Sequence, residues 1–165
     1  MRTSLFDRVC RRLLLTGALG LTLSATTALA QAGPPAPGER VETMRAVRVH
    51  EFGGAEAPRI EDIPVPEPGA GELLVRVRAA GVNPVDWKIR SGAFRAPWLE
   101  LPLTLGYDIS GEVLAVGEGV EAFEIGDEVY AYLPLSRGGG YAEQAIVKVE
   151  EAAPKPKRTP HMRAA

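Results

Sequence analysis

Apolar and polar residues alternate with a period of two along several short runs of this chain, and turn residues separate those runs at close intervals. Met44–Val49 (MRAVRV) alternates apolar with basic positions, the pattern of a half-buried strand, and Phe52-Gly53-Gly54 turns the chain after it. A second short strand is expected over Arg59–Pro64. Pro64, Pro66 and Pro68 then withhold ladder donors, so the following stretch is a loop. Glu72–Val82 alternates Leu74, Arg76 and Arg78 against Leu73, Val75 and Val77, and is the clearest strand of the chain. The pattern breaks at Asn83-Pro84. Pro84 disfavours the helical region for Asn83 and suits a first helical position, which predicts a short helix over Val85–Arg90 with Asn83 as its cap. Gly92, Pro97 and Pro102 make the next stretch irregular. Strand character resumes over Leu103–Val116, where Gly106, Gly111 and Gly117 suggest bends or close backbone approaches. A turn at Phe123–Asp127, a strand over Glu128–Tyr132, a hinge at Gly138–Gly140 and a last strand over Tyr141–Val149 complete the pattern. From Glu150 onward the chain is Pro-rich and charged, and no packed element is predicted. Short strands with frequent turns point to a mainly β, Greek-key or partly open barrel.

Residues 1–30 follow a different rule. A basic stretch ending at Arg11-Arg12, an apolar run from Leu13 to Ala25 and Ala28-Leu29-Ala30 read as an export signal, so the expected location is periplasmic or secreted. The run is shorter than a membrane span and is diluted by Thr16, Gly17, Gly20, Thr22 and Ser24, which argues against a stable membrane anchor. The paired arginines fit either an ordinary or a twin-arginine signal. Gln31–Thr43 reads as an extended linker, 44–153 as the folded domain and 154–165 as a tail.

Composition narrows the chemistry. Among 165 residues, 18 Gly and 14 Pro favour short strands over long helices. The chain carries 19 basic and 21 acidic residues, and four of the basic ones lie in the first twelve positions, so the remainder is mildly acidic and nucleic acid is not an expected partner. The single cysteine, Cys10, belongs to the export segment. Beyond it no disulfide, thiolate metal site or cysteine nucleophile is available, and His50 and His161 alone cannot build a His/Cys zinc site.

The groups able to do chemistry gather between Gly81 and Gly111. Asn83 can donate and accept through its amide, or simply cap the helix. Asp86 and Asp108 are either cleft carboxylates or surface partners of Lys88 and Arg90. Trp87 would stack on a flat ring or enter the core. Tyr130 and Tyr132 are expected to pack, His50 is assigned nothing, and Lys155, Lys157 and Arg158 read as a solvated charge run.

Several spaced motifs run in order from Met44 to Lys155. They are Pro66-x-Pro68-x-x-Gly71-Glu72-Leu73-Leu74-Val75-Arg76-Val77, Ala80-Gly81-Val82-Asn83-Pro84-Val85-Asp86, Gly106-x-Asp108-x-x-Gly111-x-Val113, Phe123-x-x-Gly126-Asp127-x-Val129, and Gly140 with Tyr141-Ala142-Glu143. Together they resemble the N-terminal half of the medium-chain dehydrogenase/reductase superfamily, nearest the zinc-free quinone oxidoreductase branch that includes zeta-crystallin. The resemblance implies a GroES-like barrel with a few short helices, working against a Rossmann domain. It implies hydride transfer from NADPH to a quinone or an α,β-unsaturated carbonyl in the cleft between the two. It places Asn83 and Tyr107 where zinc-dependent members carry a cysteine and a histidine ligand, so no metal is expected, and Tyr107 either hydrogen-bonds the reacting oxygen or fills the vacant pocket.

One part of the family pattern is missing. No strand, glycine turn and helix of the dinucleotide-binding kind follows in the 165 residues, and Gly138–Gly140 lacks that context. The expectation is therefore the substrate-side domain of a longer enzyme, truncated and inactive alone, with an uncovered cleft face prone to self-association. The alternative is an exported, non-enzymatic barrel that binds a partner through an edge strand.

Overall fold

The computed structural model describes residues 42–165; the export segment read over 1–30 and the linker as far as residue 41 lie outside the described residues. β1 (Thr43–Val49) and β2 (Pro58–Pro64) pair antiparallel in unbroken register, Thr43 opposite Pro64 and Val49 opposite Pro58. β3 (Glu72–Ala80) leads into α1 (Pro84–Ser91), and β4 (Leu103–Thr104), β5 (Asp108–Val116), β6 (Glu128–Tyr132) and β7 (Gln144–Lys148) follow. The order is β2-β1-β4 in one sheet and β7-β3-β5-β6-β8 in the other, where β8 is Ala152–Pro154.

The two sheets meet at one place. Ala46 bridges Ala142, the Val47 N–H donates to Tyr141 O at 2.8 Å, and the Glu143 N–H donates to Arg45 O at 3.0 Å. This seam curls the strands into the partly open, mainly β barrel expected from the sequence, without a full ladder to close it.

Alternation decides which face each strand buries. Leu73, Val75, Ile109, Val113, Val129, Leu133 and Val147 are fully buried and form the main core with Phe123, Ala131 and Ala145. Each large aliphatic side chain so buried contributes about 1.5–3 kcal/mol. A smaller core of Val49, Ile89, Leu105 and Tyr107 lies beneath α1. The alternation expected in β3 fails at one point: Leu73, Leu74 and Val75 are all buried. The ladder to β5 shifts register between Leu74 and Val75, and such a bulge releases the strand from strict period two.

Glycine permits the closest approach. A Cβ on Gly111 would sit 2.1 Å from the Arg76 carbonyl oxygen, so β3 and β5 could not pair as they do around any other residue. The run read as one strand over Leu103–Val116 is divided, with β4 pairing β1 and β5 beginning only at Asp108. Gly106 makes the break at φ 89°, in the left-handed region. The last predicted strand starts at Gln144 rather than Tyr141, because residues 141–143 are engaged by β1.

The tail is packed, contrary to the sequence expectation. After a 3-10 turn at Val149–Glu151, β8 pairs β6, with Ala131 opposite Ala152 and Val129 opposite Pro154. α2 (His161–Ala164) then lies on β3 and β5. Lys155, read as part of a solvated run, has a side chain only 4% exposed and reaches Glu128 at 3.1 Å, whereas Lys157 and Arg158 are exposed. Composition could not reveal this, because the pairing partners lie more than twenty residues away. Tyr130 and Tyr132, expected to pack, are instead exposed on the outer face, and His50 pairs with Glu61 at 2.6 Å. Among the described residues no helix is long and apolar enough to cross a membrane.

Candidate functional site

The site is built around the start of α1. Asn83 occupies the N-cap position in an extended conformation (φ −119°, ψ 156°), and Pro84 fills the first helical position as its ring geometry favours. The cap is nevertheless made in reverse. The Asn83 side chain makes no cap hydrogen bond; the Asn83 N–H donates to Asp86 Oδ2 at 2.7 Å. The second Asp86 oxygen accepts from the Gly106 N–H at 3.2 Å. Asp86 is only 5% exposed, so it is neither of the surface pairs the sequence suggested. A buried carboxylate is costly, and here two backbone donors and the positive end of α1 offset that cost.

Freed from capping, the Asn83 amide turns to the neighbouring strand, where its Nδ2 donates to Asp108 Oδ2. Asp108 opens β5 opposite Tyr132, so the two side chains share the outer face of the sheet. Val82, beside Asn83, is 82% exposed, and Trp87 on α1 is 51% exposed, with the Lys88 ammonium 5.9 Å from its ring centre. Trp87 is therefore not a core residue.

Tyr107 is buried in the smaller core, with only 1% of its surface exposed. Burial first, then the charge of Asp86, then Tyr132, push its phenol up to about 12. Its ring also forms part of the wall of a cavity of about 370 Å³ shared with Arg48, Trp98, Leu135 and Arg137. Asn83, Asp86, Trp87 and Asp108 do not line that cavity.

Of the five residues selected from the sequence, four form one connected group. Asn83 joins Asp86 through its backbone and Asp108 through its side chain, and Tyr107 precedes Asp108 and senses Asp86. Trp87 stands on the same helix but turns outward. One member was missed. Tyr141 donates through its phenol to Gly81 O at 3.3 Å, and burial and then Asp86 raise its pKa strongly. Its place after three glycines was the only signal in the sequence, since the contact spans sixty positions. Among the described residues no group of three His, Cys, Asp or Glu side chains stands close enough to share a metal ion.

A curled antiparallel barrel with an Asn-Pro helix start set against a Tyr-Asp strand start defines a class, and comparison with known proteins agrees. Residues 69–157 match the alcohol dehydrogenase GroES-like domain, and the chain belongs to that family, within the medium-chain dehydrogenase/reductase superfamily. Its relatives lie in the quinone oxidoreductase branch. It is 46% identical over 115 residues to the quinone oxidoreductase of Mus musculus, covering 68% of this chain and 34% of that protein. The quinone oxidoreductase structure from Coxiella burnetii matches with a TM-score of 0.72 at 33% identity, over 75% of this chain and 40% of that one. The Escherichia coli quinone oxidoreductase complexed with NADPH matches with a TM-score of 0.68 at 29% identity, over 73% of this chain and 36% of that one. The chain thus spans about a third of the length of the curated relatives it matches.

Proposed function

We propose that residues 42–165 form the substrate-side domain of a zinc-independent, nicotinamide-dependent reductase that acts on a quinone or an α,β-unsaturated carbonyl. The export signal of residues 1–30 would deliver it outside the cytoplasm. The observation that carries this reading is the Asn83 side chain, which makes no cap bond to its helix and is held by Asp108, next in the chain to exposed Val82 and at the start of the helix that bears exposed Trp87.

This donor set fits the nicotinamide end of NAD(P)H, whose carboxamide needs an amide or carbonyl partner on an open face flanked by apolar surface. When bound, NAD(P)H supplies the hydride. Asn83 orients the carboxamide or the substrate carbonyl, with Asp108 fixing the direction of its amide. Asp86 holds the backbone of Asn83 by capping α1. Tyr107, kept neutral by burial, offers its phenol O–H as a hydrogen-bond donor to the reacting oxygen and not as an acid. An amide and a neutral phenol are poor zinc ligands beside a thiolate and an imidazole, which favours the metal-free reading. The pyrophosphate end of the cofactor finds no strand, glycine turn and helix among the described residues. The 165-residue chain alone therefore binds NADPH weakly and turns over little.

The test is an NMR titration of the purified chain with benzoquinone and, separately, with NADPH, following the Asn83 side-chain amide. Weak binding, with a Kd on the order of 1 mM and shifts centred on Asn83, Val82 and Trp87, is expected. The Asn83→Ala variant loses it. Saturation without any change at Asn83 would remove the basis for the reading, and micromolar NADPH binding would contradict the division of labour proposed.

A further inference from the structure

β2 is the outer strand of the β2-β1-β4 sheet, so one of its edges pairs β1 and the other is free. Hydrogen bonds on the far side of β1 decide which backbone groups lie on that free edge. The Val47 N–H donates to Tyr141 O and the Glu143 N–H donates to Arg45 O, so Arg45 and Val47 turn their backbone groups to the seam. Neighbouring residues of a strand address opposite sides, so Met44, Ala46 and Arg48 face β2, where their register partners are Ile63, Glu61 and Arg59. The Val65 N–H, which donates to Glu42 O at 2.9 Å one step beyond the strand, has the same phase. Pro58, Ile60, Asp62 and Pro64 therefore turn their backbone outward. The prolines carry no N–H, which leaves Ile60 and Asp62 as the donors of the edge, and among the described residues neither N–H is accepted.

The same strand carries an unmet charge. Arg59 stands directly opposite Arg48 in the β1–β2 register, a pairing of like charges. Arg48 donates to Pro102 O at 2.9 Å, and among the described residues neither arginine forms an ion pair. Glu61, on the same face, takes His50 on one oxygen and keeps acceptor sites on the other. Ile60, between Arg59 and Glu61, is 74% exposed.

We propose that the free edge of β2 pairs with β2 of a second copy of this chain, antiparallel about a two-fold axis at Ile60, which makes one continuous sheet in the order β4-β1-β2-β2-β1-β4.

Charge complementarity selects the register. Both outward donors meet outward acceptors within Pro58–Pro64 when the axis falls at Ile60, Glu61 or Asp62. An axis at Glu61 sets the two Glu61 carboxylates against each other, and an axis at Asp62 does the same with the two Asp62 side chains. An axis at Ile60 opposes Ile60 to Ile60 and sets Arg59 of each copy opposite Glu61 of the other, which answers the like-charge contact with Arg48. Each Ile60 N–H then donates to the Ile60 carbonyl across the axis, and each Asp62 N–H donates to the Pro58 carbonyl, whose residue has no donor to leave unsatisfied. The prolines stop the ladder from running on, and each copy offers one such edge, so the contact closes at two copies. A single strand pair buries far less than a standard interface, so the expected Kd is weak, on the order of 0.1–1 mM.

NMR on the full chain tests the pairing. As the concentration rises to about 1 mM, the Ile60 and Asp62 amide signals are expected to move together toward hydrogen-bonded values, while those of β7, an edge of the other sheet, stay in place. A sample mixing isotope-labelled and unlabelled chain shows a contact between copies from Arg59 Hα to Glu61 Hα, a non-hydrogen-bonded pair of this register. Arg59→Glu weakens association about tenfold by setting carboxylates face to face, and adding Glu61→Arg restores it by reversing the pair. Ile60→Pro removes an outward N–H alone, so association is lost while the β1 amides keep their signals. Ile60 and Asp62 signals that ignore concentration, a Glu61 to Glu61 contact, or a double variant no tighter than Arg59→Glu overturns the proposal. Association that Val82→Ser with Trp87→Ser abolishes belongs to the Asn83 face and overturns it too. None of these outcomes bears on whether Asn83 binds a quinone.

Discussion

At the scale of single residues, the candidate site is a carboxylate with tyrosines gathered round it. Asp86 is buried and hydrogen-bonded to two backbone N–H groups, and burial first, then its charge, raise the pKa of both Tyr107 and Tyr141. The Tyr107 phenol is pushed up to about 12, above the ordinary 10.0 of a phenol. A group raised in this way contributes stability that is whole below the unfolded value and is lost as pH climbs through the folded one. Unfolding by urea should therefore show stability steady up to about pH 10 and falling toward pH 12, about 2–3 kcal/mol of the fall coming from Tyr107 and more from Tyr141, with tyrosinate absorbance appearing late. Tyr107→Phe keeps the packing and should flatten much of that fall, leaving the part due to Tyr141. A fall of unchanged size in the variant would show that Tyr107 is not coupled to folding. Asn83, Asp86 and Asp108 could be selected from the sequence because a short motif holds them. Tyr141 could not, because nothing local marks a tyrosine whose partners are sixty positions away.

Among the elements, the pairing of β3 with β5 sets the shape of the barrel and depends on a missing side chain. Gly111 leaves room for the Arg76 carbonyl, and the register slips twice along the same ladder, at Leu74/Val75 and at Val77/Ala79. Gly111→Ala should cost about 2–4 kcal/mol or prevent folding, measured by thermal or urea unfolding, since neither backbone can yield without breaking the ladder. A loss under about 0.5 kcal/mol would mean that the strands adjust more freely than their register suggests. The strands around this ladder were legible from alternation and turn residues, and α1 from Asn83-Pro84. β8 and α2 were not. Ala152–Pro154 has no alternating pattern to reveal it, and it becomes a strand only because β6 offers an unpaired edge.

For the whole molecule, the question is what the outer face does. Val82, Trp87, Tyr130, Tyr132 and Met162 are all large, apolar or aromatic, and between 40% and 86% exposed. Tyr130 and Tyr132 lie on the face that carries Asp108, and Val82 flanks the Asn83 that binds it. Exposed apolar side chains favour association where they are contiguous. The purified chain should self-associate as its concentration rises, seen as a growing scattering mass, and replacing Val82 and Trp87 by Ser should reduce the effect. A monodisperse monomer at high concentration would show that the face is polar enough to stand in water.

What the sequence determined by itself was whatever is written locally: strand alternation, the prolines and glycines that end strands, the helix start at Asn83, and a spaced set of motifs specific enough to indicate the family. These follow from covalent geometry and side-chain period, which neighbours in the chain can express. Only the tertiary structure decided the direction of the Asn83 amide, the burial of Asp86 and Lys155, the inclusion of Tyr141 and the seating of the tail. Each of those depends on a partner brought close by folding, and the free energy of a buried polar group is set by the partner it finds and not by the residues beside it in sequence.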